Sequence, residues 1–317
     1  MLPLALLVAA GLLLTNGSEA APLEGPLQPL PKPPVIDDRR VELGRLLFND
    51  PRMSANGSIS CASCHKLDHA GADDKSLSLG VDGKPVEVNT PSVFNASLNF
   101  RQFWDGRAET LEDQAHTVVQ SPTEMGGNWS TVVQRIAADP SYRKAFTDAY
   151  PDAVTQKNIQ GALADYERTL LSTKSRFDQY LAGDTDILTT EEKYGYERFQ
   201  NYGCIACHQG VNIGGNMFQK FGVLGDYFAA RGNPTKADLG RFNVTGEEED
   251  RNVFKVPSLR NVAVTAPYFH DGSEQTLEGA VAVMFKYQLG RIPSEEDTSL
   301  IVKFLKTLTG EWEGKPL

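Results

Sequence analysis

Two five-residue pieces constrain this chain more than anything else in it: Cys61-Ala-Ser-Cys64-His65 and Cys204-Ile-Ala-Cys207-His208. Each reads Cys-x-x-Cys-His. At that spacing two thiols reach the two vinyl groups of one porphyrin, and the histidine that follows lies under the iron. The four cysteines of the chain are all used by these two motifs. Two disulfides, or one zinc site made from both pairs, are the other uses of four cysteines. Neither explains a histidine directly after each pair in a chain with 5 histidines. A separation of roughly 140 residues also exceeds the usual spacing of zinc ligands. The sequence therefore implies two covalently bound haem c groups, one on Cys61 and Cys64, the other on Cys204 and Cys207. His65 and His208 are the expected proximal iron ligands.

Bulk properties narrow the setting. A length of 317 residues suits one large or two modest domains. Apolar content of 40% and charged content of 23% are those of a soluble globular protein. A formal net charge of −10 argues against a nucleic-acid partner. Leu2 to Leu14 is an apolar run too short to span a bilayer, and Ser18 and Ala20 suit a cleavage site after Ala20. Residues 1–20 are thus expected to be an export signal, although no Lys or Arg precedes the run. No later stretch is apolar enough for a membrane helix. The mature protein is expected to be soluble and periplasmic, which agrees with haem attachment outside the cytoplasm.

Six prolines in residues 21–36 predict an extended N-terminal arm. A helix follows, capped by Asp37 or Asp38, with Leu43, Leu46 and Leu47 as its apolar face. Thr110-Leu-Glu-Asp113 and Thr189-Thr-Glu-Glu192 resemble capping boxes and open two more helices. Further helices are expected over 130–138, 141–150 and 155–171, the last with Ile159, Leu163, Tyr166 and Leu170 at helical spacing. Two others are expected over 276–288, carrying Met284, and 294–308. Residues 66–100 and 209–258 are rich in Gly, Asn, Asp and Ser and predict irregular loops, with Glu247 to Asp250 a solvated face. Gly183-Asp184 breaks the helical pattern. The expected fold is mainly α with little strand: two cytochrome c-like domains, 37–184 and 185–317, each with one haem.

The chain closely resembles the bacterial di-haem cytochrome c peroxidases. Beyond the haem motifs, the resemblance rests on Asn89-Thr-Pro-Ser-Val-Phe-Asn95, Gln102-Phe-Trp-Asp-Gly-Arg107 and Val253-Phe-Lys-Val-Pro-Ser-Leu-Arg-Asn261. Ala266-Pro-Tyr-Phe-His-Asp-Gly272 and Met284-Phe-Lys-Tyr-Gln-Leu289 also match. It implies an N-terminal haem that reduces hydrogen peroxide and a C-terminal haem that takes electrons from a small carrier, a cytochrome c or a cupredoxin. Counted from Trp104, the family's catalytic Gln and Glu fall on Gln114 and Glu124. Glu124 would move a proton between the peroxide oxygens, Gln114 would orient the peroxide, and Trp104, expected to be buried, would assist electron transfer between the haems. Met284 would be the sixth ligand of the second haem, ahead of His270, which matches a family histidine near that haem. The resemblance further implies a calcium ion held by the Asn89 side chain and the carbonyls of Thr265 and Pro267. Family members are often homodimers.

One position departs from the family. Many members carry a distal histidine sixteen residues after the first proximal one, and here that position is Val81. Valine cannot bind iron. His69 is only four residues from His65, and His116 reads as a solvated helix residue. The first haem is therefore expected to be open at rest, with no need of reductive activation. Two other functions stay in view: a plain electron-transfer di-haem cytochrome, and a protein-modifying relative akin to the tryptophan-quinone maturation enzyme. In the second of these the ligand at 284 would be a tyrosine.

Overall fold

The computed structural model describes residues 25–317. The expected export signal, its cleavage after Ala20 and the first residues of the arm lie outside the described residues. α1 (Asp38–Phe48) begins where Asp37 accepts the backbone N–H of Arg39. The first haem motif forms one helical turn, α2 (Cys61–Cys64). α3 (Leu111–Gln120) opens on a reciprocal Thr110–Asp113 capping box. α4 (Trp129–Ala138), α5 (Pro140–Ala149) and α6 (Gln156–Thr169) complete the first half. α7 (Arg176–Leu181) precedes α8 (Thr190–Asn201), whose Thr189–Glu192 capping box forms as predicted. After two short helices, α9 (Tyr227–Arg231) and α10 (Phe242–Thr245), the chain ends on α11 (Leu277–Tyr287) and α12 (Glu295–Lys306). Strand is confined to two antiparallel ribbons, β1 (Phe218–Lys220) with β2 (Val253–Lys255), and β3 (Glu311–Trp312) with β4 (Lys315–Pro316).

Each half is built on a crossed helix pair with a glycine at the crossing. A Cβ at Gly44 of α1 would sit 1.9 Å from the Ala162 carbonyl oxygen of α6, and one at Gly195 of α8 would sit 2.0 Å from that of Leu300 in α12. Only glycine lets these backbones approach so closely. Around the first pair lies one apolar cluster with Leu47, Phe48, Met53, Ile136, Phe146, Ile159 and Leu163. Around the second lies another with Phe177, Phe199, Ile213, Phe285, Ile301, Phe304 and Leu308. Each fully buried side chain of this size stabilises the fold by about 1.5–3 kcal/mol.

The structure departs from or adds to the sequence reading at four points. Leu46 is exposed and Phe48 takes its place, because α1 turns its 43–44–47–48 stripe inward. The proline-rich arm is docked: Leu27 is buried in the second cluster, and Gly210 donates its N–H to the Pro26 carbonyl over 2.8 Å. The 209–258 segment is irregular but contains β1, β2, α9 and α10. α7 was not expected, since six residues are too few to show a period, and its Phe177 and Leu181 pack in the second cluster.

The candidate haem sites

The two cysteine pairs are separate. Cys61 packs against the first apolar cluster and Cys204 against the second, and no disulfide joins any of the four. A zinc site made from both pairs is thereby ruled out. Around the first motif lies a cavity that is open in part to solvent. Cys61, Cys64 and His65 form one side of it; Gln114, Glu124 and Trp104 form others. α3 supplies Leu111, Gln114, Ala115 and Val118 to this wall, one face of the helix at three- and four-residue spacing. The turn after α3 brings in Glu124, whose amide donates to the Ser121 carbonyl over 3.1 Å.

His65 is oriented for a single role. Its Nδ1 lies 3.2 Å from the Gly71 carbonyl oxygen, which leaves Nε2 for a metal. Burial pushes its pKa down, so the ring stays neutral, the form that binds iron. Burial pushes the Cys61 thiol up to about 12. Glu124 is also raised by burial, and its buried Oε2 has no hydrogen-bond partner. That oxygen needs a group that the folded chain does not supply. Val81 is buried, and its amide donates to the Glu124 carbonyl over 2.8 Å, so the 79–83 turn is pinned to the Glu124 turn. Asn56 holds the Val81 carbonyl at 3.1 Å.

Trp104 was expected to be buried. It is half-buried, because its ring borders the haem cavity and a second cavity lined by Glu87, Arg107, His116, Gln120, Lys236 and Phe254. Its indole N–H donates to the Asn89 carbonyl over 2.9 Å. Asn89 in turn donates its amide N–H to the His270 carbonyl over 2.7 Å, and its side-chain nitrogen donates to the carbonyls of Lys75 and Ser76. Beside Trp104, His270 pairs with Asp238 at 2.7 Å, and Arg231 bonds both Asp238 and Asp271. Burial opposes ionisation of Asp238, but His270 and Arg231 hold it well below the usual carboxylate range. His116 is not a simple solvated residue. Its ring stacks on Trp129 at 4° and its Nδ1 lies 3.0 Å from the Gln156 amide nitrogen. His69 pairs with Asp74 at the surface.

At the second motif, burial pushes His208 down to about 4, and its buried Nδ1 has no hydrogen-bond partner. Gly214 makes room for this ring: a Cβ there would meet His208 Nδ1 at 3.3 Å and the Pro257 carbonyl oxygen at 2.2 Å. Met284 is half-buried on α11, whose Val281 and Phe285 face the same cluster as Cys204 and Ile205. Paired thiols beside a buried neutral imidazole, at two separate places, fit two c-type haems.

Sequence reasoning missed Glu167 and Lys255. Glu167 lies in the wall of the first cavity, and burial pushes it up to about 8. Its place four residues after Leu163, on the apolar stripe of α6, is the signal that could have found it. Lys255 is buried within the run Val253 to Val256, all four residues of which are buried.

A family model described as di-haem cytochrome c peroxidase matches residues 38–186. Cytochrome c peroxidase Ccp of Escherichia coli is 44% identical over 90% of this chain, and the chain spans 61% of that relative's length. Cytochrome c551 peroxidase of Nitrosomonas europaea is 44% identical over 90% of this chain and 84% of the relative. Among solved structures, a MauG-like protein associated with microbial copper homeostasis aligns with a TM-score of 0.78 at 29% identity, covering 90% of this chain and 93% of the other. With two haem-attachment motifs in two helical cores and relatives of this identity along nearly its whole described length, the chain belongs to the di-haem cytochrome c peroxidase family.

Proposed function

We propose that this family member reduces hydrogen peroxide to water with electrons from a small carrier protein, a cytochrome c or a cupredoxin. Peroxide reacts at the Cys61-Cys64-His65 site, and the Cys204-Cys207-His208 site relays electrons. The observation that carries this reading is the first cavity, where the haem motif, Gln114 and a partnerless buried Glu124 oxygen share one wall system. A haem held there by Cys61, Cys64 and His65 would supply the redox chemistry that peroxide reduction needs. Glu124 takes a proton from one peroxide oxygen and returns it to the other, which leaves as water. Gln114 donates a hydrogen bond that fixes the peroxide. Trp104 lies between this cavity and the second-half network around His270 and carries electrons across. His208 and Met284 would hold the second haem's iron, and a thioether there would favour the ferrous state. Asn89, with the carbonyls of Thr265 and Pro267, would hold a calcium ion through oxygen ligands. The mature protein works in the periplasm, and a homodimer is its proposed assembly.

With Val81 where many family members have a histidine, a haem bound at the first site would have no protein ligand from that position at rest. The oxidised protein should give one high-spin and one low-spin EPR signal, and two low-spin signals would overturn this part of the reading. Activity is tested by following oxidation of reduced cytochrome c by peroxide. Glu124→Gln should lower kcat/KM by about 10²–10⁴-fold, the usual worth of a positioned acid–base group. Turnover retained in that variant would remove Glu124 from the acid–base role, and absence of turnover in the unaltered, haem-loaded protein would leave an electron-transfer cytochrome as the better description.

A further inference from the structure

Lys255 is 8% exposed, yet it makes no ion pair and no side-chain hydrogen bond among the described residues. Burial alone pushes it down to about 8, and no carboxylate acts on it in return. A buried, unpaired ammonium is costly, and folded proteins pair such groups. Lys255 Nζ is not itself sealed off, so a group that the described residues do not supply can reach it and act as its partner.

The backbone around Lys255 indicates where that group comes from. Lys255 donates its amide N–H to the Trp104 carbonyl over 2.8 Å, and Trp104 borders the first haem cavity. On the other side, Val256 accepts from the Gly215 N–H over 2.7 Å, and the Pro257 carbonyl lies against Gly214 beside His208. Lys255 is thus fixed at the junction of the two haem sites. Each haem c carries two propionate carboxylates. They are the only anions that the established cofactors bring to this junction.

We propose that Lys255 is an anion-binding residue that pairs with a haem propionate at the junction of the two sites and so raises the reduction potential of that haem. The inference rests on haem occupying both sites. The cation offsets the negative carboxylate, which would otherwise stabilise the ferric iron. Which haem supplies the carboxylate is decided by the same experiment.

The test is a spectroelectrochemical titration of the purified di-haem protein, comparing wild type, Lys255→Gln and Lys255→Arg, with haem content and circular dichroism as controls. In K255Q the ferrous/ferric equilibrium of one haem should fall about tenfold or more, which is 59 mV for one electron. The other haem should move less. K255R should restore most of the shift. A fall at the high-potential haem assigns the propionate to the second site, and a fall at the low-potential haem assigns it to the first. If K255Q folds and binds both haems with both potentials unchanged, the proposal is wrong. If K255Q does not accumulate with haem, resonance Raman spectra of wild type and K255R take its place. The propionate bending band should shift between them, and an unmoved band overturns the proposal. Loss of peroxidase activity with unchanged potentials would count against the proposal, whereas changed potentials with no peroxidase activity would uphold it and refute the function assigned above.

Discussion

Glu124 and Glu167 share the wall of one cavity, and burial raises the pKa of both. The consequences differ. Glu124 must be ionised to accept a proton, so kcat/KM should fall as pH drops through a value above the ordinary carboxylate range. A pH–rate profile with its acid limb inside the ordinary range would speak against Glu124 as the base. Glu167 favours its neutral form when folded, and the nearby Glu112 reinforces burial while Arg168 opposes it. The unfolded chain ionises near the ordinary glutamate value of 4.5, the folded one near 8. Stability should therefore be lost as pH rises between these values, by up to about 1.4 kcal/mol per pH unit. Glu167→Gln should match wild type near pH 4 and exceed it by a few kcal/mol at most near pH 8, read by thermal unfolding of the haem-loaded protein. At this scale motif chemistry singled out Cys61 and His65, and the family resemblance pointed to Gln114 and Glu124; all four line one cavity. Glu167, Lys255 and the His116 stack stayed hidden, because a polar residue on a helix or strand reads as solvated until its neighbours in space are known.

Among elements, the crossed helix pairs make the sharpest claim. Gly44→Ala and Gly195→Ala should each push a helix off its partner and cost about 1–3 kcal/mol or more, measured by denaturant unfolding. A second junction joins α7, the arm and the Val253–Asn261 stretch. Arg260, fully buried, holds both carboxylate oxygens of Asp178 at 2.8 and 2.9 Å and bonds the carbonyls of Val211 and Gln28. Asp178 also accepts from the Leu30 N–H at 3.1 Å. Arg260→Met strands a buried carboxylate and should cost about 3–5 kcal/mol. The long helices were legible because their apolar residues keep a 3.6 period between strong caps, as at Thr110 and Thr189. α7 and the β1–β2 ribbon were not, since 6 and 3 residues are too few to show a period.

Over the whole molecule, the two apolar clusters follow the two helix pairs, and the chain passes between them after Leu170 and before Phe177. We retain the division into two cytochrome c-like domains as a proposal on that basis. No described helix is long and apolar enough to cross a membrane. Removal of residues up to 36 should strip Leu27 from the second cluster and take Gln28 and Leu30 from the Arg260–Asp178 junction. The second half should then unfold at lower temperature than the first, in a calorimetric trace where the full-length protein shows less separation. The sequence read the arm as extended because prolines signal extended chain; that Leu27 docks as a core residue carries no local mark in the sequence.

That arm has a counterpart at the other end. Trp312 and Leu317 pack on the first cluster, and Phe94 meets the Trp312 ring edge-on at 5.7 Å. Each terminus thus closes the half to which it does not belong in sequence order. A gene cut between the halves would yield two fragments with a missing plug apiece. Exchange of one half between relatives must splice in three places, so recombination should favour transfer of the pair as one inherited block.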